Sequence, residues 1–89
     1  MSKKILVVDD EDIIRESISY ILGKEGYAVE TAENGAIAYE KVQKDHYDLV
    51  ISDIEMPEMK GIDLLEKIVR LNLHTSVIMI TAYGSLETA

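Results

Sequence analysis

Four short apolar runs alternate with three amphipathic stretches along this chain, a pattern that predicts βα units around a parallel sheet. The first run, Ile5-Leu6-Val7-Val8, is uninterrupted and rich in β-branched residues, as expected of a strand covered on both faces. It stops at Asp9-Asp10-Glu11-Asp12, acids that suit a helix N-terminus, and Ile14, Ile18, Ile21 and Leu22 then form one helical stripe closed by Lys24 and Gly26. Ala28 to Ala32 carries Glu30 inside it, which predicts a strand near the sheet edge. Asn34-Gly35 reads as a turn, followed by a helix from Ala36 to about Lys44 with Ala38, Tyr39 and Val42 on one face. Leu49 to Ser52 predicts a third strand ending at Asp53. The loop from Ile54 to Gly61 holds the sole proline, Pro57, and delays the next helix, whose stripe reads Ile62, Leu65, Ile68 and Val69. Val77 to Ile80 predicts a fourth strand that stops at Thr81. Gly84 to Ala89 reads as a helix start with Ser85 as N-cap, too short to nucleate, so residues 1–89 are expected to be part of a longer domain.

Composition narrows the function classes. With 89 residues and 47% of them hydrophobic, the chain can build one small core. Nine Lys and Arg against 17 Asp and Glu give a net charge of −8, which disfavours direct binding of nucleic acid or anionic lipid. The lack of cysteine rules out disulfides and thiolate metal sites and fits a reducing, cytoplasmic setting. The four-residue apolar run behind Lys3 and Lys4 is too short for a signal peptide or a membrane span.

Three strand ends carry polar residues: Asp9-Asp10, Asp53 and Thr81. Parallel strands bring these ends to one edge, and a strand order of 2-1-3-4 makes the first and third strands neighbours at the point where ligands bind in open α/β sheets. Asp9, Asp10 and Asp53 then converge. Crowded carboxylates repel one another, and oxygen donors without His or Cys favour a hard cation, Mg²⁺ above all. One carboxylate becomes a candidate nucleophile toward a phosphoryl group, with the Thr81 hydroxyl as a donor. The bland readings sit beside these. His46 and His74 read as solvated, Tyr20, Tyr27, Tyr39 and Tyr47 as packed with surface hydroxyls, Lys3 and Lys4 as solvated. Met56-Pro57 reads as loop rigidity, and Gly61 as serving a backbone conformation that a side chain would obstruct.

The segments Ile5-Leu6-Val7-Val8-Asp9-Asp10-Glu11, Asp53-Ile54-Glu55-Met56-Pro57-Glu58-Met59-Lys60-Gly61 and Ile80-Thr81-Ala82, in this order and spacing, resemble the receiver domain of bacterial two-component response regulators. The resemblance runs across the whole chain. It implies a flavodoxin-like, doubly wound α/β sheet, incomplete here at four strands and three helices plus the start of a fourth. It also implies a signalling switch rather than an enzyme, beyond catalysis of its own phosphorylation and dephosphorylation. Asp53 would take a phosphoryl group from a sensor histidine kinase. Asp10 and Asp53 would bind Mg²⁺ with the backbone carbonyl of Glu55, Asp9 would act through a metal-bound water, and Thr81 would turn to the acyl phosphate. Helix-one residues such as Arg15, Glu16 and Ser19 would influence the choice of kinase. The end of the chain is similar to receivers of transcription activators, which implies an output domain beyond the C-terminus.

The family's fifth strand, with its phosphate-pairing lysine, and its fifth helix have no counterpart within residues 1–89. Val77 to Ile80 is therefore expected to present an open apolar edge, with dimerisation or strand exchange as the outcome. Two other readings compete: a receiver-like interaction module that takes no phosphate, and a Mg²⁺-dependent phosphohydrolase suggested by the Asp10-Glu11-Asp12 spacing. The latter leaves Asp53 in its loop unexplained. Glu55 and Tyr83 match the family's rate-tuning positions and predict a long phosphorylated lifetime, Glu55 by repelling a hydroxide-like nucleophile and Tyr83 by screening the site. Replacing Tyr83 with Ala is expected to speed dephosphorylation; equal rates for variant and parent would remove the steric part of this reading.

Overall fold

The structure is a computed structural model, and it describes residues 3–56, 59–71 and 74–80. Four parallel strands, β1 (Lys4–Val8), β2 (Ala28–Ala32), β3 (Leu49–Asp53) and β4 (Ser76–Ile80), are ordered β2-β1-β3-β4. They alternate with α1 (Asp12–Lys24), α2 (Gly35–Lys44) and α3 (Gly61–Arg70). This is the doubly wound, flavodoxin-like α/β arrangement that the resemblance implies, with β2 at one edge of the sheet among the described residues and β4 at the other.

Burial follows strand position. Ile5 to Val8 of β1, paired on both sides, are all buried, whereas β4 has no fully buried residue and leaves Ile78 49% exposed. One face of the sheet carries the core: Leu6, Val8 and Val50 pack against Ala38 and Val42 of α2 and Leu64 and Ile68 of α3. Truncating Leu64, which is wholly buried, removes atoms from the centre of that cluster, a change that typically costs about 2–5 kcal/mol. The opposite face is covered by α1, of which no residue is fully buried. A groove of about 340 Å³ runs there between Leu22, Tyr27 and the amino ends of β1, β3 and β4.

Local chemistry accounts for the helix ends. Asn34, read from sequence as a turn residue, is the N-cap of α2: its side chain accepts the Ile37 N–H at 2.8 Å, and the helix begins at Gly35. Gly26 stands just after α1 with φ of 97°, the left-handed conformation that stops a helix. Two predicted stripes shift. In α3 the buried positions are Gly61, Leu64 and Ile68, while Ile62 and Val69 are exposed; in α1, Ile21 is exposed beside half-buried Ile14, Ile18 and Leu22. Each helix carries enough apolar residues for two overlapping stripes, and periodicity alone does not choose between them.

Two residues read as solvated or surface-tipped are instead tied into a network on the core face. The Tyr47 residue is 2% exposed and its hydroxyl donates to Glu30 Oε1 at 3.0 Å. Lys4 Nζ pairs with Glu30 at 3.3 Å and with Asp45, and lies 4.9 Å from the Tyr47 ring centroid. These contacts join β1, β2 and the α2–β3 connection. Burial, reinforced by the Glu30 hydrogen bond, pushes the Tyr47 hydroxyl up to about 12, and the same bond leads the contacts that hold Glu30 below the usual carboxylate range. A depressed carboxylate contributes stability that is present above its ordinary value and lost as pH falls through the depressed one. Tyr47→Phe is therefore expected to cost about 1 kcal/mol near neutral pH. In thermal melts the gap between variant and parent should narrow on acidification below the ordinary Glu range; a gap independent of pH would contradict this.

Candidate functional site

β1 and β3 are paired as far as Val8 and Ser52, so the residues that follow, Asp9 and Asp53, stand side by side at the carboxyl edge, Asp53 still paired with Ile80 of β4. There Asp9, Asp10 and Asp53 come together, each offering a carboxylate oxygen, with these atoms all within 4.8 Å of one another. Their settings differ. Asp9 is 2% exposed, Asp53 half-buried and Asp10 exposed. The Asp9 carboxylate accepts the Glu11 N–H at 2.9 Å, and Asp53 Oδ1 accepts the Glu55 N–H at 3.3 Å.

Burial raises the proton affinity of Asp9, and repulsion from Asp53 and Asp10 adds to it, while the Glu11 N–H works against the rise. Burial likewise raises Asp53, with Asp10 adding and the Glu55 N–H opposing. The balance is clear in sign: the folded state holds these acids under electrostatic stress that a proton or a cation relieves. A set of three carboxylate oxygens without nitrogen or sulfur suits a hard divalent ion such as Mg²⁺, so the residues fit the metal that the sequence implies.

The loop after β3 is held by close packing. Gly61 N–H donates to the Ile54 carbonyl at 2.9 Å, and Ile54 N–H donates to Ile80 at 2.9 Å. A Cβ added at Gly61 would lie 2.3 Å from the Asp53 carbonyl oxygen and 2.5 Å from Met79 Cε. The sequence reading of Gly61 as serving a special backbone conformation gives way to lack of space, since Gly26, not Gly61, is the described glycine with positive φ. Met56 is buried in the core cluster and Met59 packs against Gly35 at the start of α2. The two methionines seat the loop against the core and the start of α2, in keeping with the structural reading of Met56, while Pro57 lies outside the described residues.

Of the other residues singled out in the sequence, Glu55 is exposed beside Asp53, and Thr81, Tyr83 and Ser85 lie outside the described residues. Arg15 and Ser19, read as kinase-facing surface, are turned inward: the Arg15 side chain is 14% exposed and the Ser19 hydroxyl oxygen is enclosed without a partner among the described residues, leaving Glu16 exposed. His46 is exposed with Asp48 3.5 Å away, and His74 is exposed.

The response regulator receiver domain family matches residues 5–89. The chain belongs to that family. It is 40% identical over 87 residues to sporulation initiation phosphotransferase F of Bacillus subtilis, covering 98% of this chain and 70% of that protein. To the regulatory protein AtoC of Escherichia coli it is 41% identical over 86 residues, 97% of this chain but 19% of the relative. The solved response regulator TrrA of Thermotoga maritima, in complex with Mg²⁺-BeF, superposes with a TM-score of 0.88 at 44% identity, over 97% of this chain and 75% of that one. TrrA in complex with the histidine kinase ThkA gives a TM-score of 0.86 at 46% identity, over 92% and 71%. The receiver is thus a signalling module of two-component response regulators, and among the described residues no helix is long and apolar enough to cross a membrane.

Gly61→Ala is expected to shift the Asp53 backbone and lower stability by about 1–3 kcal/mol. The melting temperature and the Mg²⁺ affinity should fall together, and a variant equal to the parent in both would show that the loop gives way at no cost.

Proposed function

We propose that this receiver is a phosphorylation switch in which Asp53 is the phosphoacceptor. The observation that carries the reading is the convergence of Asp9, Asp10 and Asp53 at the carboxyl edge between β1 and β3. Asp53 ends a rigid strand and faces the cluster with its carboxylate half-buried, so an oxygen of this group can attack a phosphohistidine phosphorus. The P–N bond to the kinase imidazole breaks, that nitrogen keeps the electron pair and is protonated, and an acyl phosphate forms on Asp53. Asp10, Asp53 and the Glu55 carbonyl would hold Mg²⁺, with Asp9 acting through a metal-bound water; when bound, the ion neutralises charge on the acids and on the transferring phosphoryl group.

Thr81, next in sequence after β4, would supply the hydroxyl that follows the phosphoryl group, and Glu55 and Tyr83 would set how quickly water removes it. A sensor histidine kinase as donor is supported by the solved TrrA–ThkA complex, and Mg²⁺ dependence by the TrrA complex with Mg²⁺-BeF. The great length of AtoC beyond the matched fifth supports an output domain. Transcription is proposed as the controlled process, in line with a transcriptional regulatory protein among the relatives, and the cytoplasm as the setting. The outer edge of β4, with Ile78 half-exposed, is read as the place where a second copy pairs or exchanges strands.

Incubation with Mg²⁺ and a small acyl-phosphate donor, followed by intact mass measurement, tests the central assignment. One added phosphoryl group is expected on the parent chain, and none on Asp53→Asn or in the presence of a chelator. Labelling that persists in Asp53→Asn would refute the assignment, and a parent that binds Mg²⁺ without labelling would favour an interaction module that takes no phosphate.

A further inference from the structure

Asp9 is fixed from three directions. Its N–H donates to the Ala32 carbonyl at 3.2 Å, its carboxylate accepts the Glu11 N–H at 2.9 Å, and its own carbonyl accepts Arg15 NH1 at 2.7 Å. The last of these is unusual in origin, because it comes from a side chain six residues on, reaching back from α1. The other end of the same guanidinium, NH2, pairs with Asp12. Arg15 therefore closes a clamp over Asp10 and Glu11, the turn that presents the exposed carboxylate of the acidic cluster. Val8 and Ser52 are the last register pair of β1 and β3, so the Asp9 carbonyl lies past the described ladder, in a residue only 2% exposed. A buried acceptor of this kind is costly to leave unmade.

We propose that Arg15 is a positioning residue for the metal site: its planar fork fixes the β1–α1 turn so that Asp9 and Asp10 are presented together toward Asp53. This rests on the Mg²⁺ site proposed above. Only an arginine fits the task, since one guanidinium donates in two fixed directions at once, whereas a lysine ammonium is a point charge on a flexible stem. Outer groups that orient metal ligands typically matter by about 10–100-fold in affinity.

Two roles for Arg15 predict opposite signs. A cation that acted only through its charge would repel Mg²⁺, and removing it would tighten binding. A clamp that acts through geometry would, when removed, weaken binding. Calorimetric titration of Mg²⁺ into the parent chain, Arg15→Ala and Arg15→Lys, together with thermal melts in EDTA, separates them. Both variants are expected to bind about tenfold more weakly or worse, while the EDTA melt of Arg15→Lys stays close to that of the parent. Tighter binding by Arg15→Ala with Arg15→Lys equal to the parent, or unchanged affinity in both, would overturn the proposal. If Arg15→Ala fails to fold, Arg15→Lys decides alone: parent-like affinity refutes the clamp and weakened affinity supports it. A parent chain that binds no Mg²⁺ overturns the metal site itself, and the clamp with it.

Discussion

Three carboxylates are forced together at the end of a strand that cannot move. Ile5 to Val8 are buried and paired on both sides, so the direction in which β1 delivers Asp9 and Asp10 is set by the most constrained part of the sheet. β3 delivers Asp53 beside them in fixed register. Burial is the main reason that both Asp9 and Asp53 are raised, and neighbouring carboxylates add to it. A site under such stress gains from any cation it admits, and the sheet holds the ligands in place before the cation arrives.

The two halves of the site are braced by different means. On the β3 side the brace is steric: Gly61 lies so close to the Asp53 carbonyl that no Cβ fits, and Met56 and Met59 seat the loop against the core and α2. On the β1 side it is polar, with Glu11 N–H and the Arg15 guanidinium holding Asp9. The difference follows from how the helices pack. α2 and α3 share the filled core face, whereas no residue of α1 is fully buried, so α1 has little packing with which to hold its own first turn.

Much of this was legible in the sequence, for reasons that can be named. Parallel strands follow from short apolar runs alternating with amphipathic stretches, three of the runs ending in a polar residue, and the meeting of Asp9, Asp10 and Asp53 then follows from a strand order that the receiver resemblance implies and the sheet bears out. The lining of the helices was less legible, because Ile62 and Leu64 both fit a 3.6-residue stripe and only the sheet selects Leu64. Tyr47, Lys4 and Arg15 were misread for a common reason. Each has a polar tip that looks solvated in sequence, and its partners, Glu30, Asp45 and the Asp9 carbonyl, become neighbours only after the sheet forms or the chain turns back. The spacing of Arg15 three residues after Asp12 was a local signal that could have been used.

Rigidity and compliance are divided along the sheet. The core face and the β1–β3 pair hold the acids, while α1 and β4 carry partly exposed apolar surface, Ile13, Tyr20, Ile21 and Ile78 among it. β4 is hydrogen-bonded to the site through the Ile54 N–H and the Ile80 carbonyl. A phosphoryl group on Asp53, as proposed, would appear one residue before the N–H that ties the loop to β4.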